Sequence, residues 1–408
     1  MQIAATAPAA GSRGEHDRDA TRGHASIAAQ AVLLVLGFYI VSKPYYLLPS
    51  GLPQVADMSL VAGMTFALFL PRLRRGIEAR KFVGSIVVFC LYAAIVSIGW
   101  TFVLMDPRVA LYAAYYAFNL CLVVLCLRVG ALHTEATLRV IAYAVALSAV
   151  IQAGSAALTF NAAHFRQIAS FNNPNQLAYW SLLSLCIFWS IGSRIRIAWY
   201  IRAGALAALA YTVAISLSKA AMIATVLLIL LHFLKKPKLI LLVLVVAVVG
   251  YLALENSSIA ERISSRLENI GGQADDSFYA RGYLRILGYP EYAVIGAGEG
   301  AIYRFNDVIY SDQDYEIHST FGTILFSYGA VGMAAFASAI FYLYRIAGWA
   351  NLLYLAPPFL YGLTHQGLRF SFLWLLLAVI ALLGRAGPRQ SSPQKHGATL
   401  APQGRRAP

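Results

Sequence analysis

The chain has 408 residues, of which 59% are apolar and only 12% are charged, about half the charged share of an ordinary globular protein. So few charges could not cover the surface of a soluble domain, which excludes an ordinary cytosolic enzyme and a disordered scaffold. The remaining class is a protein embedded in a lipid bilayer. The net charge of +14 would indicate a nucleic-acid partner in a soluble protein. In a membrane protein, the distribution of the basic residues between the loops on the two sides has to be considered first.

Twelve apolar segments follow one another along the chain, each roughly long enough to cross about 30 Å of hydrocarbon. They cover 26–42, 53–70, 82–104, 108–127, 139–160, 176–192, 202–217, 220–234, 239–254, 319–344, 347–365 and 370–384. The sequence therefore predicts an all-α polytopic membrane protein with about twelve transmembrane helices and one large periplasmic loop that contains short helices. Ser216, Ser218 and Lys219 split the apolar stretch between 202 and 234, and we interpret this break as a tight turn.

Basic residues are distributed unevenly between the loops. With the N-terminus in the cytoplasm, 22 of the 32 Lys and Arg residues fall in cytoplasmic segments, five in short outer loops and five in one long loop, and long loops do not count in the positive-inside rule. This asymmetry predicts that both termini are cytoplasmic and that residues 255–317 face the periplasm of a bacterial inner membrane. It also accounts for the positive net charge, so we expect no nucleic-acid partner.

The two tails, 1–25 and 385–408, are rich in Pro, Gly, Ser, Ala and basic residues, a composition typical of disorder. Residues 26–384 then form a single transmembrane domain. The four cysteines all lie inside apolar segments, so we expect neither a disulfide framework nor a cysteine-type zinc site.

The predicted spans contain almost no ionisable residue near their centres, where ion- and proton-coupled transporters usually carry one. Asp57, Arg108, Arg139 and His365 lie near span ends instead. This pattern favours a membrane-embedded enzyme, with its polar chemistry at the outer interface, over a carrier.

The predicted outer loop carries two helix signals. Ser258 and Glu261 form a capping-box pattern that predicts a short amphipathic helix over 258–270. Asp276 predicts the start of a second helix that ends at Gly288.

Two arginines in that second helix suggest an anion site. Arg281 and Arg285 are four residues apart, so a helix would place both guanidinium groups on one face. The planar guanidinium fork binds phosphate oxygens bidentately, which suits a diphosphate. A solvated or headgroup-facing arginine pair is the alternative.

Three further motifs follow in the loop. Gly296, Gly298 and Gly300 form a turn that could cradle phosphate or, alternatively, let the loop re-enter the membrane surface. Asp312-Gln-Asp314 has a spacing that can hold a divalent ion, but a solvated acidic loop is the simpler interpretation, so we predict no metal. His318, at the start of a span, is a candidate general base or a plain interfacial residue.

Two other outer positions carry polar groups. Arg166, Asn172, Asn173 and Asn175 precede or begin the sixth span, where amides can contact sugar hydroxyls. The alternative is a plain helix cap, with Pro174 as the first helical residue. Lys219 lies at the outer turn between the seventh and eighth spans, where it either binds substrate phosphate or snorkels to lipid headgroups.

Four sequence pieces, in order, resemble the O-antigen ligase/O-antigen polymerase family of bacterial envelope glycan enzymes. They are FNNPNQLA, SLSKAA, ARGYLRILGYPEYAVIGAGEG and HSTFGTILFSYGAVG, and they span residues 171–332. The resemblance implies a glycosyltransferase that uses an undecaprenyl-diphosphate-linked glycan donor, without nucleotide, metal or other cofactor. Its acceptor would be a glycan or a lipid-linked molecule. Its other partners would be membrane lipid and other polysaccharide assembly proteins.

The resemblance carries over to individual residues only in part. Arg281 matches the loop arginine that binds the donor diphosphate, and His318 matches the proposed general base. Lys219 stands where the family usually has an arginine after serine, which keeps the charge but loses the bidentate fork. The roles of Arg285, Arg166 and the asparagines rest on their spacing alone.

Several activities fit these motifs. We favour a polymerase that joins lipid-linked repeat units, because the acceptor-side residues look unspecialised. A ligase that transfers the finished glycan to lipid A–core is the alternative within the family. An exporter of lipid-linked glycan or polysaccharide, or a non-catalytic assembly partner, is the alternative of another class.

Overall fold

The computed structural model describes residues 12–46, 54–71, 76–160, 166–233, 279, 281–300, 304–305 and 317–385, with side chains from residue 27 onward. Throughout this part the chain is helical, without a β-strand. The α-helices are α1 (Ser12–Ser42), α2 (Val55–Ala67), α3 (Ile77–Leu104), α4 (Ala110–Leu132), α5 (Thr134–Leu158), α6 (Pro174–Gly192), α7 (Trp199–Ser216), α8 (Lys219–Phe233), α9 (Leu284–Gly288), α10 (Thr320–Leu352), α11 (Ala356–Gly362) and α12 (Ser371–Arg385). Short 3-10 turns cover Pro107–Val109, Pro290–Tyr292 and Leu353–Leu355.

Five stretches of the described chain are long and apolar enough to cross a membrane. They are Ile77–Leu104, Pro107–Leu132, Thr134–Leu158, Trp199–Ser216 and Thr320–Gly362. Four shorter apolar helices accompany them, namely Ile27–Ser42, Val55–Ala67, Lys219–Phe233 and Ser371–Arg385. The all-α fold is thus confirmed for the described residues, and five candidate membrane spans are present, while the count of twelve spans stays a prediction. The ninth predicted span, 239–254, lies outside the described residues.

Helices α6 and α12 form the centre of the bundle. Every residue from Leu177 to Ile191 of α6 is buried, and so is every residue from Ser371 to Leu383 of α12. A helix that is apolar all round belongs inside the protein, and α12 packs against α4, α6 and α10. Because lipid tails are as apolar as leucine, close packing rather than exclusion from water holds such helices together.

Helices α3 and α10 lie side by side and run in opposite directions. The hydroxyl groups of Ser85 and Ser338 are 2.9 Å apart, and Arg345 lies 3.7 Å from Glu78 near the start of α3. At the same end of the bundle Arg128 donates to the carbonyl oxygen of Leu70 at 2.9 Å. Basic residues of the loops predicted to be cytoplasmic therefore lie at this end of the bundle.

The tight turn predicted at Ser216–Lys219 is confirmed. Helix α7 ends at Ser216, Leu217 adopts a left-handed conformation with φ of 50°, and Lys219 is the first residue of α8. The break reverses the chain, so the stretch between 202 and 234 forms two helices rather than one.

Two predictions are wrong within the described residues. Helix α1 begins at Ser12, inside the tail predicted to be disordered, because extending an existing helix costs little once it is nucleated. The predicted second loop helix does not run without a break to Gly288, because residues 281–283 form a turn in which Gly282 has φ of 71°. The helix predicted over 258–270 and the tail beyond Arg385 lie outside the described residues.

Candidate functional site

The structure brings Arg281 and His318 together. The backbone N–H of His318 donates to the carbonyl oxygen of Arg281 at 3.0 Å. His318 immediately precedes the N-cap of α10, where the Ser319 hydroxyl accepts from the N–H of Gly322 at 3.0 Å. The two residues that match the family motifs are therefore neighbours in space, and both are half-buried.

The segment between α11 and α12 forms the other wall of this site. The Arg281 guanidinium group donates to the carbonyl oxygen of Thr364. The Thr320 hydroxyl donates to the carbonyl oxygen of His365 at 3.1 Å and accepts from the N–H of Gly367 at 3.0 Å. The start of α10 thus holds residues 364–367 in a fixed position beside Arg281.

Tyr361 connects these residues to the sixth helix. Its hydroxyl donates to the carbonyl oxygen of Asn175 at 3.0 Å, and its ring stacks on His365 with the ring centroids 4.4 Å apart. Arg166 contacts the side chain of the same Asn175, and Arg281 contacts Thr364, three residues after Tyr361. Tyr361 therefore connects the start of α6 to the segment that binds Arg281.

Arg166 and Asn175 contact each other. Arg166 donates through Nη2 to the Asn175 side-chain oxygen at 2.6 Å and through Nε to the carbonyl oxygen of Ser216 at 2.8 Å. Ser216 ends α7, and the half-buried Lys219 begins α8 three residues later. Arg166 thus ties the start of α6 to the turn that carries Lys219.

The asparagines before the sixth span divide between two roles. The Asn173 side chain accepts from the N–H of Gln176 at 2.9 Å, and Pro174 is the first residue of α6, so the helix-cap alternative is confirmed for Asn173. Asn172 is exposed and lines a cavity.

Arg281 and Arg285 do not share a helix face, contrary to prediction. The left-handed turn at Gly282 separates them, so only Arg285 belongs to α9. Arg285 is only 1% exposed and folds back over Gly282, with Nη1 3.5 Å from the position that a Cβ would take. Arg285 therefore packs inside the turn that positions Arg281.

The glycine-rich turn is a structural element rather than a phosphate cradle. Gly296, Gly298 and Gly300 all have positive φ angles, of 95°, 70° and 90°. The N–H groups of Ala297 and Gly298 donate to carbonyl oxygens of α10 at 2.8 Å each, so they do not point to a ligand. These glycines thus form a tight turn that packs against α10, while re-entry of the loop into the membrane surface stays a prediction.

This turn carries Glu299, which sequence reasoning missed, into the interior. Glu299 is 1% exposed, and its carboxylate accepts from the hydroxyls of Tyr116 and Tyr328 and pairs with the Arg369 guanidinium group. Burial alone would lower the pKa of Arg369, but the Glu299 carboxylate outweighs it and raises the pKa above its usual range. Arg369 therefore stays charged at neutral pH.

Arg304 closes the glycine-rich turn from the other side. Its guanidinium group lies 4.0 Å from the centre of the Trp100 ring and donates to the carbonyl oxygens of Gly298 and Glu299 at 3.1 and 3.3 Å. Burial lowers the pKa of Arg304 to about 10, which leaves the side chain charged at neutral pH.

A cavity of about 220 Å³ lies beside the site. Arg369 and a Lys43–Asp57 ion pair of 2.6 Å border it. Burial lowers the pKa of Lys43, although the Asp57 carboxylate acts in the opposite direction. Asn172 borders the cavity, whereas Arg281 and His318 do not.

The missed residues had only weak signals in the sequence. Asp57 and His365 stand out as ionisable groups at span ends, and Lys43 and Arg369 as basic residues of outer loops. Glu299 could not be identified as the partner of Arg369, because 70 residues separate the two in the chain. Lys43 and Asp57 are only 14 residues apart, but no motif connects them. Uncharged Gln366, which also borders the cavity, has no motif around it.

Among the residues that the structure describes, no group of three or more His, Cys, Asp or Glu side chains could hold a metal ion. The acidic stretch with Asp312 and Asp314 lies outside them. The described part of the chain is thus all-helical, has helices long and apolar enough to cross a membrane, and carries a cationic and imidazole-containing cluster at one end. Comparison of the sequence with protein-family models and with curated proteins gives no match.

Proposed function

We propose that this chain is a membrane glycosyltransferase that joins undecaprenyl-diphosphate-linked oligosaccharide units into surface polysaccharide. The observation that carries the proposal is the direct backbone contact between Arg281 and His318 at one end of an apolar helical bundle. A fixed cation beside an imidazole is the pair that this chemistry needs, namely one group for the leaving diphosphate and one for the attacking hydroxyl.

In the proposed mechanism the donor diphosphate binds at Arg281, with Lys219 at the neighbouring turn. His318 takes the proton of an acceptor hydroxyl as its oxygen attacks the anomeric carbon. The bond from that carbon to the diphosphate oxygen breaks, and the diphosphate leaves with the electron pair, stabilised by Arg281. One-step attack from the opposite face inverts the anomeric centre. Arg285, Arg166 and Asn175 act in this scheme by holding the turns that carry Arg281 and Lys219.

The proposal includes the twelve-span topology, with both termini cytoplasmic and residues 255–317 in the periplasm. The alternating directions of neighbouring helices support it. So does the separation of Arg128 and Arg345, at one end of the bundle, from Arg166 and Arg281 at the other.

The roles of Arg281 and His318 are tested by Arg281→Ala and His318→Ala. Each variant should lose transfer of lipid-linked glycan at least about a hundredfold, because a general base or an oxyanion-stabilising donor typically contributes that much or more. Arg108→Ala is the matched control, since Arg108 is an exposed arginine that pairs with the neighbouring Asp106. Normal transfer by either variant, at wild-type protein level, would reject its role and favour an exporter or assembly partner.

The acceptor distinguishes polymerase from ligase. Purified protein is incubated with lipid-linked repeat units alone and, separately, with added lipid A–core. We expect chain growth without the core acceptor. Product that forms only with lipid A–core would identify a ligase, and transport of labelled glycan across vesicles without a new glycosidic bond would identify an exporter.

A further inference from the structure

The four residues 362–365, at the end of α11, form an acceptor segment. Each of their backbone carbonyl oxygens accepts a hydrogen bond from a side chain that lies elsewhere in the chain. The donors, for carbonyls 362 to 365 in order, are the Ser319 hydroxyl at 3.1 Å, the Tyr283 hydroxyl, the Arg281 guanidinium group and the Thr320 hydroxyl at 3.1 Å. The turn at 281–283 and the start of α10 therefore meet on one short segment.

The position of this segment explains why its carbonyl groups accept from side chains. Carbonyl groups at the end of a helix have no partner within the helix, and each needs one from elsewhere. The N–H groups of Leu363 and Thr364 still donate to the carbonyl oxygens of Leu360 and Tyr361. Backbone bonding thus continues up to residue 361, and side chains take over at 362. Displacement of the turn at 281–283 would remove the donors of carbonyls 363 and 364.

The α10 side of this arrangement is buried and closely packed. Ser319 and Thr320, the N-cap and first residue of α10, are 0% and 2% exposed. The Thr320 hydroxyl also accepts from the N–H of Gly367 at 3.0 Å, and it lies 3.0 Å from the position that a Cβ at Gly362 would take. Helix α10 thus holds the segment 362–367 at both ends, which gives Arg281 a fixed base.

The turn side orients the Arg281 side chain. A long arginine side chain has many rotamers, and a donor group stabilises developing charge best when it needs no reorganisation. The Thr364 carbonyl oxygen binds the guanidinium group itself, and the Tyr283 hydroxyl fixes the turn two residues later. The backbone bond from His318 to Arg281 joins the same turn to the start of α10. The acceptor segment therefore preorganises the cation beside the imidazole.

We propose that Thr320 and Tyr283 are positioning residues of the transfer reaction, and that they hold Arg281 in the orientation that binds the donor diphosphate. The inference rests on the proposed function, because the diphosphate role of Arg281 belongs to it. Neither is a catalytic residue in this scheme, since each acts through the acceptor segment.

Thr320→Val and Tyr283→Phe test the proposal, because each removes one hydroxyl and keeps the shape of the side chain. The Tyr283 ring lies against Gly322, with Cε1 3.3 Å from the position that a Cβ would take, and phenylalanine keeps this contact. The probe is tritiated farnesyl diphosphate, an isoprenoid diphosphate without a glycan. Its binding to the full chain in nanodiscs is measured against Arg281→Ala as the background.

We expect the Kd of each variant to rise about fivefold, a change that corresponds to one neutral hydrogen bond. Thr320→Ser keeps the hydroxyl and should bind like the wild type. The Tm of Tyr283→Phe should stay unchanged, because Leu363 is 47% exposed and water can replace the lost donor. Should Thr320→Val fail to fold, Tyr283→Phe decides the test.

Tyr92→Phe is the matched control. The Tyr92 hydroxyl also donates to a carbonyl oxygen of the loop, that of Ile295 at 2.6 Å, but beyond α9 and the 3-10 turn that follows it. Its loss should leave the Kd unchanged. Equal increases of the Kd for Tyr92→Phe and Tyr283→Phe would show a general loosening of the loop and overturn the positioning role.

A double-mutant cycle shows whether Tyr283 acts through Arg281. Lysine keeps the charge but is a flexible point charge without the planar fork, so the acceptor segment cannot orient it in the same way. In the Arg281→Lys background, Tyr283→Phe should therefore cause no further rise of the Kd. Independent, additive losses would contradict the proposal.

The results separate this proposal from the proposed function. Wild-type Kd values for both Thr320→Val and Tyr283→Phe, or equal binding by the wild type and Arg281→Ala, would overturn the positioning role even where glycan transfer is observed. Weakened binding by both variants, without transfer by the wild type to any acceptor, would support the positioning role at a diphosphate site and reject the glycosyltransferase.

Discussion

At the scale of single residues, the most unusual feature is the buried pair of Glu299 and Arg369. A charge inside an apolar bundle is costly unless it is paired and hydrogen-bonded. Glu299 meets this condition through Arg369 and two tyrosine hydroxyls, and the Arg369 guanidinium group lies 4.3 Å from the centre of the Tyr112 ring. The pair thus connects the glycine-rich turn to α4, α10 and the start of α12.

Glu299→Gln should destabilise the protein by about 3 kcal/mol, the lower end of the range for removing one partner of a buried ion pair. The lower end applies because Arg369 borders a polar cavity and keeps 23% of its side chain exposed. The double variant Glu299→Gln/Arg369→Met should regain part of this loss, because it leaves no unpaired charge. Thermal unfolding of Glu299→Gln, Arg369→Met and the double variant in detergent measures the coupling.

Glu135→Gln is the control for that cycle, since Glu135 is 67% exposed in its pair with Arg139 and exposed pairs contribute little. Equal unfolding temperatures for Glu299→Gln and Glu135→Gln would contradict a stabilising role for the buried pair.

At the scale of elements, the break in α10 allows the outer loop to enter the bundle. Gly329 has φ of 59° and ψ of −164°, which interrupts the helix. Ala330 and Val331 donate to the carbonyl oxygens of Ala293 and Val294 at 2.8 and 3.3 Å. The break thus exchanges helical hydrogen bonds for bonds to the loop, as required where no water is available.

Comparison of Gly329→Ala with Gly348→Ala separates the cost of backbone strain from the cost of a steric clash. Both glycines have positive φ, and an added Cβ would lie 2.2 Å from the Val294 carbonyl oxygen at Gly329 but more than 4 Å from any neighbour at Gly348. Gly348→Ala should cost about 1–3 kcal/mol from strain alone. Gly329→Ala should cost clearly more, or prevent folding. The yield of monodisperse protein and its Tm measure the difference, and equal losses would contradict the loop-insertion role.

At the scale of the whole molecule, basic residues lie at the two ends of an apolar bundle. Arg128 and Arg345 mark one end, and Arg166, Arg281 and Arg369 mark the other. The positive-inside rule assigns the first end to the cytoplasm.

Labelling with a membrane-impermeant maleimide tests this orientation. Ser258→Cys should be labelled in intact cells, whereas Ser391→Cys should be labelled only after the cells are opened. The wild type serves as the background, because its four cysteines are buried or half-buried. The opposite pattern of labelling would invert the topology and exclude the proposed periplasmic site.

The helical class and the general position of the site could be predicted from the sequence. Apolar segments of spanning length identify helices locally, and the turn at Ser216–Lys219 was visible as a polar interruption. His318 and Arg281 were found because they lie in recognisable motifs. The helix predicted from Asp276 failed at Gly282, since a glycine inside a helical pattern does not reveal whether its φ is positive.

Composition, the spacing of apolar segments and loop charge are local properties, so they predict a membrane class and a preferred orientation without knowledge of the fold. Contacts between distant segments cannot be derived from these local properties. The meeting of Arg281 with His318, the insertion of Glu299 against Arg369, and the cavity bordered by Gln366 all depend on how the helices pack. Many packings satisfy the same pattern of apolar segments, and only the tertiary arrangement selects among them, because in a membrane close packing and paired polar groups decide which helices adjoin.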